Sequence, residues 1–181
     1  MMRAEDPGQN PGAAPNACSN QSIAIQWQLT GCYLVEFAMG FPDRIERTVQ
    51  LDRAPEEVWA ALTTAEGLSS WFGDEAGIEL HPGGRGHLIW HGGPTTHLRV
   101  ERVEEPSVFG FTWQIPELPS EDPRRTYVEF TLEPVGAGTR LTVVETGFAQ
   151  LPEEHYREIY DSHTEGWSRE LGELTEHLDA A

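Results

Sequence analysis

The sequence predicts an α+β fold: a curved antiparallel sheet of about six or seven strands wrapped around a long C-terminal helix, with two short helices after the first strand. Three observations predict it. From Leu151 to Leu178, steps of three and four place Tyr156, Ile159, His163, Trp167, Leu171, Leu174 and Leu178 on one face, the 3.6-residue period of an amphipathic helix. Most of what precedes it alternates apolar and polar residues between Gly and Pro breaks, which is the strand signal. Those strands follow one another without crossover helices, so they are expected to pair antiparallel.

The chain opens with a stretch that belongs to none of this. Residues 1–21 are rich in Pro, Gly, Asn and Ala and carry no apolar period. Ile23 to Phe41 alternates in part and reads either as an extra edge strand or as sequence upstream of the organised domain. Residues 1–42 are expected to be a poorly ordered extension, and residues 43–181 the domain. No secretory signal is read at the start, and the apolar run is too short and polar for a membrane span.

Ile45, Val49 and Leu51 alternate with polar neighbours in a first strand. Pro55 then opens a short helix with Glu56 and Glu57 in its first turn and Val58, Trp59 and Leu62 on its apolar side. A second short helix is predicted over Ala65 to Trp71, capped by Thr64, weakened by Gly67 and ended by Gly73. Strands are expected over Ala76 to Leu80, Arg85 to Trp90 and Thr95 to Val103, where the uneven spacing of Leu98, Val100 and Val103 predicts a bulge. Phe109, Phe111 and Trp113 share one face of the next strand, and Ile115 to Pro123 is a proline-rich acidic loop. In the next strand Tyr127, Glu129 and Thr131 alternate with Val128, Phe130 and Leu132. A hairpin at Gly136-Ala137-Gly138 leads to the last strand, with Leu141 and Val143 on one face. Pro152 suits the first turn of the long helix, and Arg157 and Arg169 have acidic residues at four-residue spacing.

Composition narrows the function. The 181 residues carry 30 acidic side chains against 12 basic ones, a formal charge of -18, and every basic residue is arginine. Nucleic acid and anionic membranes reward positive charge, so neither is an expected partner. Any mechanism that needs a lysine is excluded. Cys18 and Cys32 form no metal or redox motif; they could form a disulfide, but nothing requires it, and a reduced, cytoplasmic setting is expected. Gly83-Gly84 lacks the helix and lysine of a phosphate-binding loop, and no cofactor is called for.

Taken in order, "RTVQLDRAPEEVWAALTTAEGLSSWFG", "LHPGGRG", "RVERVEEPSVFGFTW", "VEFTLEPVGAGTRLTVVETGF" and the later "GW" resemble the START-like (SRPBCC) superfamily. Within it they are similar to the bacterial branch related to the C-terminal domain of the activator of the Hsp90 ATPase. The resemblance covers Asp43 to about Ala180 and implies the helix-grip fold. It also implies a cavity between the long helix and the concave sheet, where many relatives are thought to bind lipids, polyketides or other apolar molecules. Some relatives are cyclases or hydrolases; others act in stress responses or with chaperones. The motifs are largely structural, so the resemblance identifies a container.

The candidate site follows from the residues most able to line such a container. Trp90, Phe109, Phe111, Trp113, Tyr127 and Trp167 are large aromatics suited to an apolar ligand. Tyr156 and His163 give the upper half of the helix face polar atoms, and His163 could donate to or accept from a ligand oxygen. Sequence assigns no serine, cysteine or carboxylate beside it. His81, His87, His91 and His97 are irregularly spaced and two lie at turns, so no metal site is expected, although His87 and His97 could meet across a hairpin. Arg47, Arg99 and Glu101 interrupt strand patterns, and an inward one would need a partner, Arg99 with Glu129 being one pair. The leading expectation is a monomer that binds a small hydrophobic, aromatic or lipid-like molecule. A cyclase or hydrolase in the same cavity and a chaperone-associated protein-interaction module are the alternatives.

Overall fold

The computed structural model describes residues 42–180. The proposed N-terminal extension, its two cysteines and its candidate strand lie outside the described residues, apart from Pro42. The elements are β1 (Arg44–Leu51), α1 (Pro55–Thr63), α2 (Ala65–Trp71), β2 (Glu75–Ile78), β3 (Arg85–Ile89), β4 (Thr96–Glu104), β5 (Val108–Gln114), β6 (Arg125–Val135), β7 (Gly138–Thr146) and α3 (Glu153–Ala180). The strands form one curved antiparallel sheet in the order β1-β7-β6-β5-β4-β3-β2. The predicted α+β architecture therefore stands: seven strands, two short helices after the first, and the long helix last.

The long helix packs as its period predicts. All seven residues of the expected face are buried. Their counterparts on the sheet are Phe109, Phe111 and Trp113 on β5, Val128 and Phe130 on β6, and Leu141 and Val143 on β7. Trp167 stands edge-on to Phe130, with ring centres 5.7 Å apart. The helix starts at Glu153, and the carbonyl of Pro152 accepts the amides of His155 and Tyr156. Arg169 pairs with its neighbour Glu170 at 2.8 Å instead of with a carboxylate one turn away. No helix among the described residues is long and apolar enough to cross a membrane.

The bulge expected in β4 is present as a register shift between Val100 and Arg102. The ion pair expected between Arg99 and Glu129 is not the one that forms. Arg102, not Arg99, lies in the row with Gly110 and Glu129, and it pairs with Glu129 at 3.1 Å. Arg99 pairs with Glu101 in its own strand at 3.1 Å. Arg47 is half-buried and turns toward α3, where it donates to the Thr164 carbonyl and the Ser168 hydroxyl. His87 and His97 do stand opposite each other in β3 and β4, but among the described residues no metal-binding group of His, Cys, Asp and Glu forms around them.

Gly67 has a tertiary role that its poor helix propensity conceals. The Thr64 hydroxyl caps α2 by accepting from the Gly67 amide at 2.9 Å. A Cβ on Gly67 would lie 2.4 Å from the carbonyl oxygen of Ala60 and 2.7 Å from the Cα of Ala61. The missing side chain is what lets α2 approach α1. Gly67→Ala is expected to destabilise the protein by about 1–3 kcal/mol through overpacking, although alanine is the better helix former. A urea midpoint at or above that of the parent chain would refute this.

Candidate functional site

The site begins with the last strand. In β7, Leu141 and Val143 point into the core, and the same alternation sends Glu145 inward. Glu145 is 0% exposed. A buried carboxylate is costly unless donors surround it, and four side chains supply them. Trp113 on β5 donates its indole N–H at 3.0 Å and Thr126 on β6 its hydroxyl at 2.5 Å. From α3, Trp167 donates its indole N–H at 2.7 Å, and His163 Nδ1 lies 2.9 and 3.0 Å from the two carboxylate oxygens. Two of the three tryptophans expected to line a pocket, Trp113 and Trp167, are thus also groups that hold this charge.

The other imidazole nitrogen faces away from Glu145. His163 Nε2 lies 3.6 Å from Glu117 Oε2, on the connection between β5 and β6. The Ser162 hydroxyl donates to the other oxygen of Glu117 at 3.1 Å. His163 therefore stands between two carboxylates, one sealed in the core and one partly open to water. Burial by itself would push its pKa down, but the contacts with Glu117 and Glu145 outweigh burial and hold it up at about 9. The imidazole is consequently charged at neutral pH. For Glu117, burial raises the carboxyl's pKa and His163 lowers it further than that, so it stays below the ordinary carboxylate range.

A cleft of about 530 Å³ opens onto this group. Its aromatic wall comprises Trp71, Phe72, Trp90, Trp113 and Trp167. Phe72 is the centre of that wall, stacked on Trp71 at 4.7 Å, on Trp167 at 5.4 Å and on Trp113 at 5.9 Å between ring centres. The polar side holds Glu117, Ser162 and His163, with Asp74, Arg169, Glu170 and Glu173 further round. Glu170 is buried, and burial raises its carboxyl pKa in spite of the Arg169 guanidinium beside it. The middle of α3 forms this lining, not its first turn.

Of the residues expected at a pocket, Trp90, Trp113, His163 and Trp167 meet at the cleft. Phe109 and Phe111 lie beneath it in the core, 0% and 1% exposed. Tyr156 is buried near the helix start, where its hydroxyl bonds to the Pro42 carbonyl. Tyr127 has to be moved: it projects from the face of β6 opposite Val128 and Phe130, lies across Gly110, and donates its hydroxyl to Glu129 at 2.6 Å. The sequence missed Glu117, Glu145, Trp71 and Phe72 as site residues. Only Glu145 had a signal, as the next inward position after Leu141 and Val143.

Two predictions follow from the buried ion pair. Glu145→Ala removes the acceptor shared by four donors, leaving the Trp113 indole only Thr126 and the imidazolium only Glu117, and is expected to cost about 3–5 kcal/mol, while Glu145→Gln retains an acceptor and costs less. Urea denaturation compares them; an alanine variant within about 1 kcal/mol of the parent would contradict the reading. The His163 contribution is complete below its ordinary pKa of 6.5 and is lost as pH rises to about 9, because the folded state holds the proton longer. Stability should fall across that window in the parent chain and fall less in His163→Gln. Parallel pH profiles for the two would rule this out.

The family model described as Activator of Hsp90 ATPase homolog 1-like protein matches residues 52–179. No curated protein matches the chain. Among solved structures, a protein from Mesorhizobium loti is 26% identical with a TM-score of 0.66, over 76% of this chain and 98% of its own. The Aha1 dimer from Colwellia psychrerythraea is 18% identical with a TM-score of 0.62, over 75% of this chain and 95% of its own. An HSP90 activator from Plasmodium falciparum is 19% identical with a TM-score of 0.51, over 59% of this chain and 74% of its own. At the identities of these last two, the likeness is one of fold. The chain belongs to the Activator of Hsp90 ATPase homolog 1-like family.

Proposed function

We propose that this member of the family binds a small apolar molecule, aromatic or lipid-like, in the cleft between α3 and the sheet. The observation that carries the reading is the cleft itself: about 530 Å³, walled by four tryptophans and a phenylalanine, with His163 and Glu117 on its polar side. That volume lies within the range of small-molecule sites, and a mostly apolar lining with few polar groups is their usual chemistry. The aromatic wall supplies contact area at low entropic cost. Residues 43–181 are proposed as the unit that does this.

A second reading has one observation in its favour. His163 is bonded to side-chain carboxylates and not to backbone, and it lines the cleft. A cyclase or hydrolase could use it, and with a pKa of about 9 it would enter the reaction as a proton donor, not as a base. The exposed large apolar residues among those described are Leu80 and Val135, at separate turns. They give a protein-interaction reading no comparable support.

The test is a two-dimensional NMR titration of the chain with fatty acids, flavonoids and polyketide-like aromatics. Shifts are expected to concentrate at Phe72, Trp113, His163 and Trp167. A folded chain whose spectrum none of these compounds changes would sink the small-molecule reading.

A further inference from the structure

We propose that the ligand carries a carboxylate, and that this carboxylate replaces Glu117 at His163. The inference rests on the small-molecule reading above and adds the chemistry of the head group.

Most polar groups of the cleft already have partners. Glu170 has Arg169 at 2.8 Å. Asp74 accepts the His91 backbone amide. Glu145, behind the aromatic wall, has four donors. Glu173 is exposed to water, the buried acceptors are answered, and the weakly answered buried groups are donors. One is the Trp90 indole N–H, which is buried and has no hydrogen-bond partner among the described residues. The other is His163 Nε2. Its contact with Glu117 is 3.6 Å, beyond hydrogen-bond length.

Glu117 is a weakly held partner in other respects. Its side chain is 32% exposed, it belongs to the connection between β5 and β6, and its other side-chain bond is to Ser162 on the helix surface. His163, by contrast, is fixed from behind by both oxygens of Glu145. The chain thus places one of its own carboxylates, loosely, against a rigid cationic donor at an aromatic-walled cleft. An incoming carboxylate at hydrogen-bond length makes a charge-assisted bond that Glu117 does not make. The Ser162 hydroxyl is then released to serve its second oxygen. Glu117 moves into water, where its charge is solvated at little cost. The exchange leaves the number of charges at His163 unchanged, so no charge is stranded in the core.

The net charge of -18 favours cations on approach, so an amine is the informative rival. The experiment titrates the full chain at neutral pH with 2-naphthoate, 2-naphthalenemethanol and 2-naphthylmethylamine, observed by NMR. Naphthoate is expected to bind more tightly than the alcohol and the amine and to shift the His163 Nε2 resonance. Glu117→Gln removes the internal competitor and is expected to tighten naphthoate binding by about tenfold, the scale of one charge-assisted hydrogen bond, with the alcohol little changed. Equal binding of all three probes, tighter binding of the amine, or an unchanged naphthoate affinity in Glu117→Gln overturns the head-group inference alone. Binding by none of the three in a folded chain overturns the small-molecule reading with it.

Discussion

A carboxylate sealed from water needs donors at fixed places, and Glu145 sets those places for the rest of the molecule. Its donors come from three elements, β5, β6 and α3. An apolar helix face can slide or roll on an apolar sheet at modest cost. A face that must deliver an imidazolium and an indole N–H to the two oxygens of one buried group cannot, because either displacement strands a charge. Apolar packing buries the face of α3, and Glu145 fixes where along and around its axis the helix rests. The orientation of His163 follows from the same bond: with Nδ1 committed to Glu145, Nε2 has to face the cleft.

The fold was legible because its signals are periodic. The helix face, the two short helices, the β4 bulge and the hairpin at Gly136-Ala137-Gly138 each follow from spacing or turn chemistry, and each is where the spacing puts it. The site was legible in part, for reasons that differ by residue. Alternation in β7 pointed to Glu145, but a lone glutamate after Leu141 and Val143 reads as the strand's return to solvent. Only the structure shows donors from three elements meeting there. Alternation in β6 had already put Val128 and Phe130 on one face and Tyr127 on the other; the aromatic ring invited the wrong side. Glu117 lies in a proline-rich loop without a period, so its meeting with His163 depends on where the loop closes. The bulge brings Arg102, where an unbroken register would bring Glu101, into the row with Gly110 and Glu129, and spacing alone does not give that register.

The cleft shares the acidic balance of the molecule, with Asp74, Glu117, Glu170 and Glu173 against Arg169 and His163, but the group held between Glu117 and Glu145 has the opposite sign. The chain is strongly acidic, yet the titratable group that faces Glu117 in the cleft wall is a cation. Both are consistent because each responds to its own surroundings. Exposed carboxylates on the surface are solvated and screened. His163 responds to two carboxylates within 4 Å and to little water. Net charge describes how a ligand approaches; the local pair describes what it meets on arrival.

The aromatic wall has an optical consequence. Trp113 lies 6.3 Å from Trp90 and 5.9 Å from Trp167 between ring centres, with ring planes inclined at 63° and 33°. Indoles this close and this inclined couple their electronic transitions, so the three absorb as a group and not as separate chromophores. Their coupled circular dichroism depends on the angles among β5, the β3–β4 turn and α3, the elements that enclose the cleft. The protein therefore contains a built-in gauge of the angles among these elements, readable without any label.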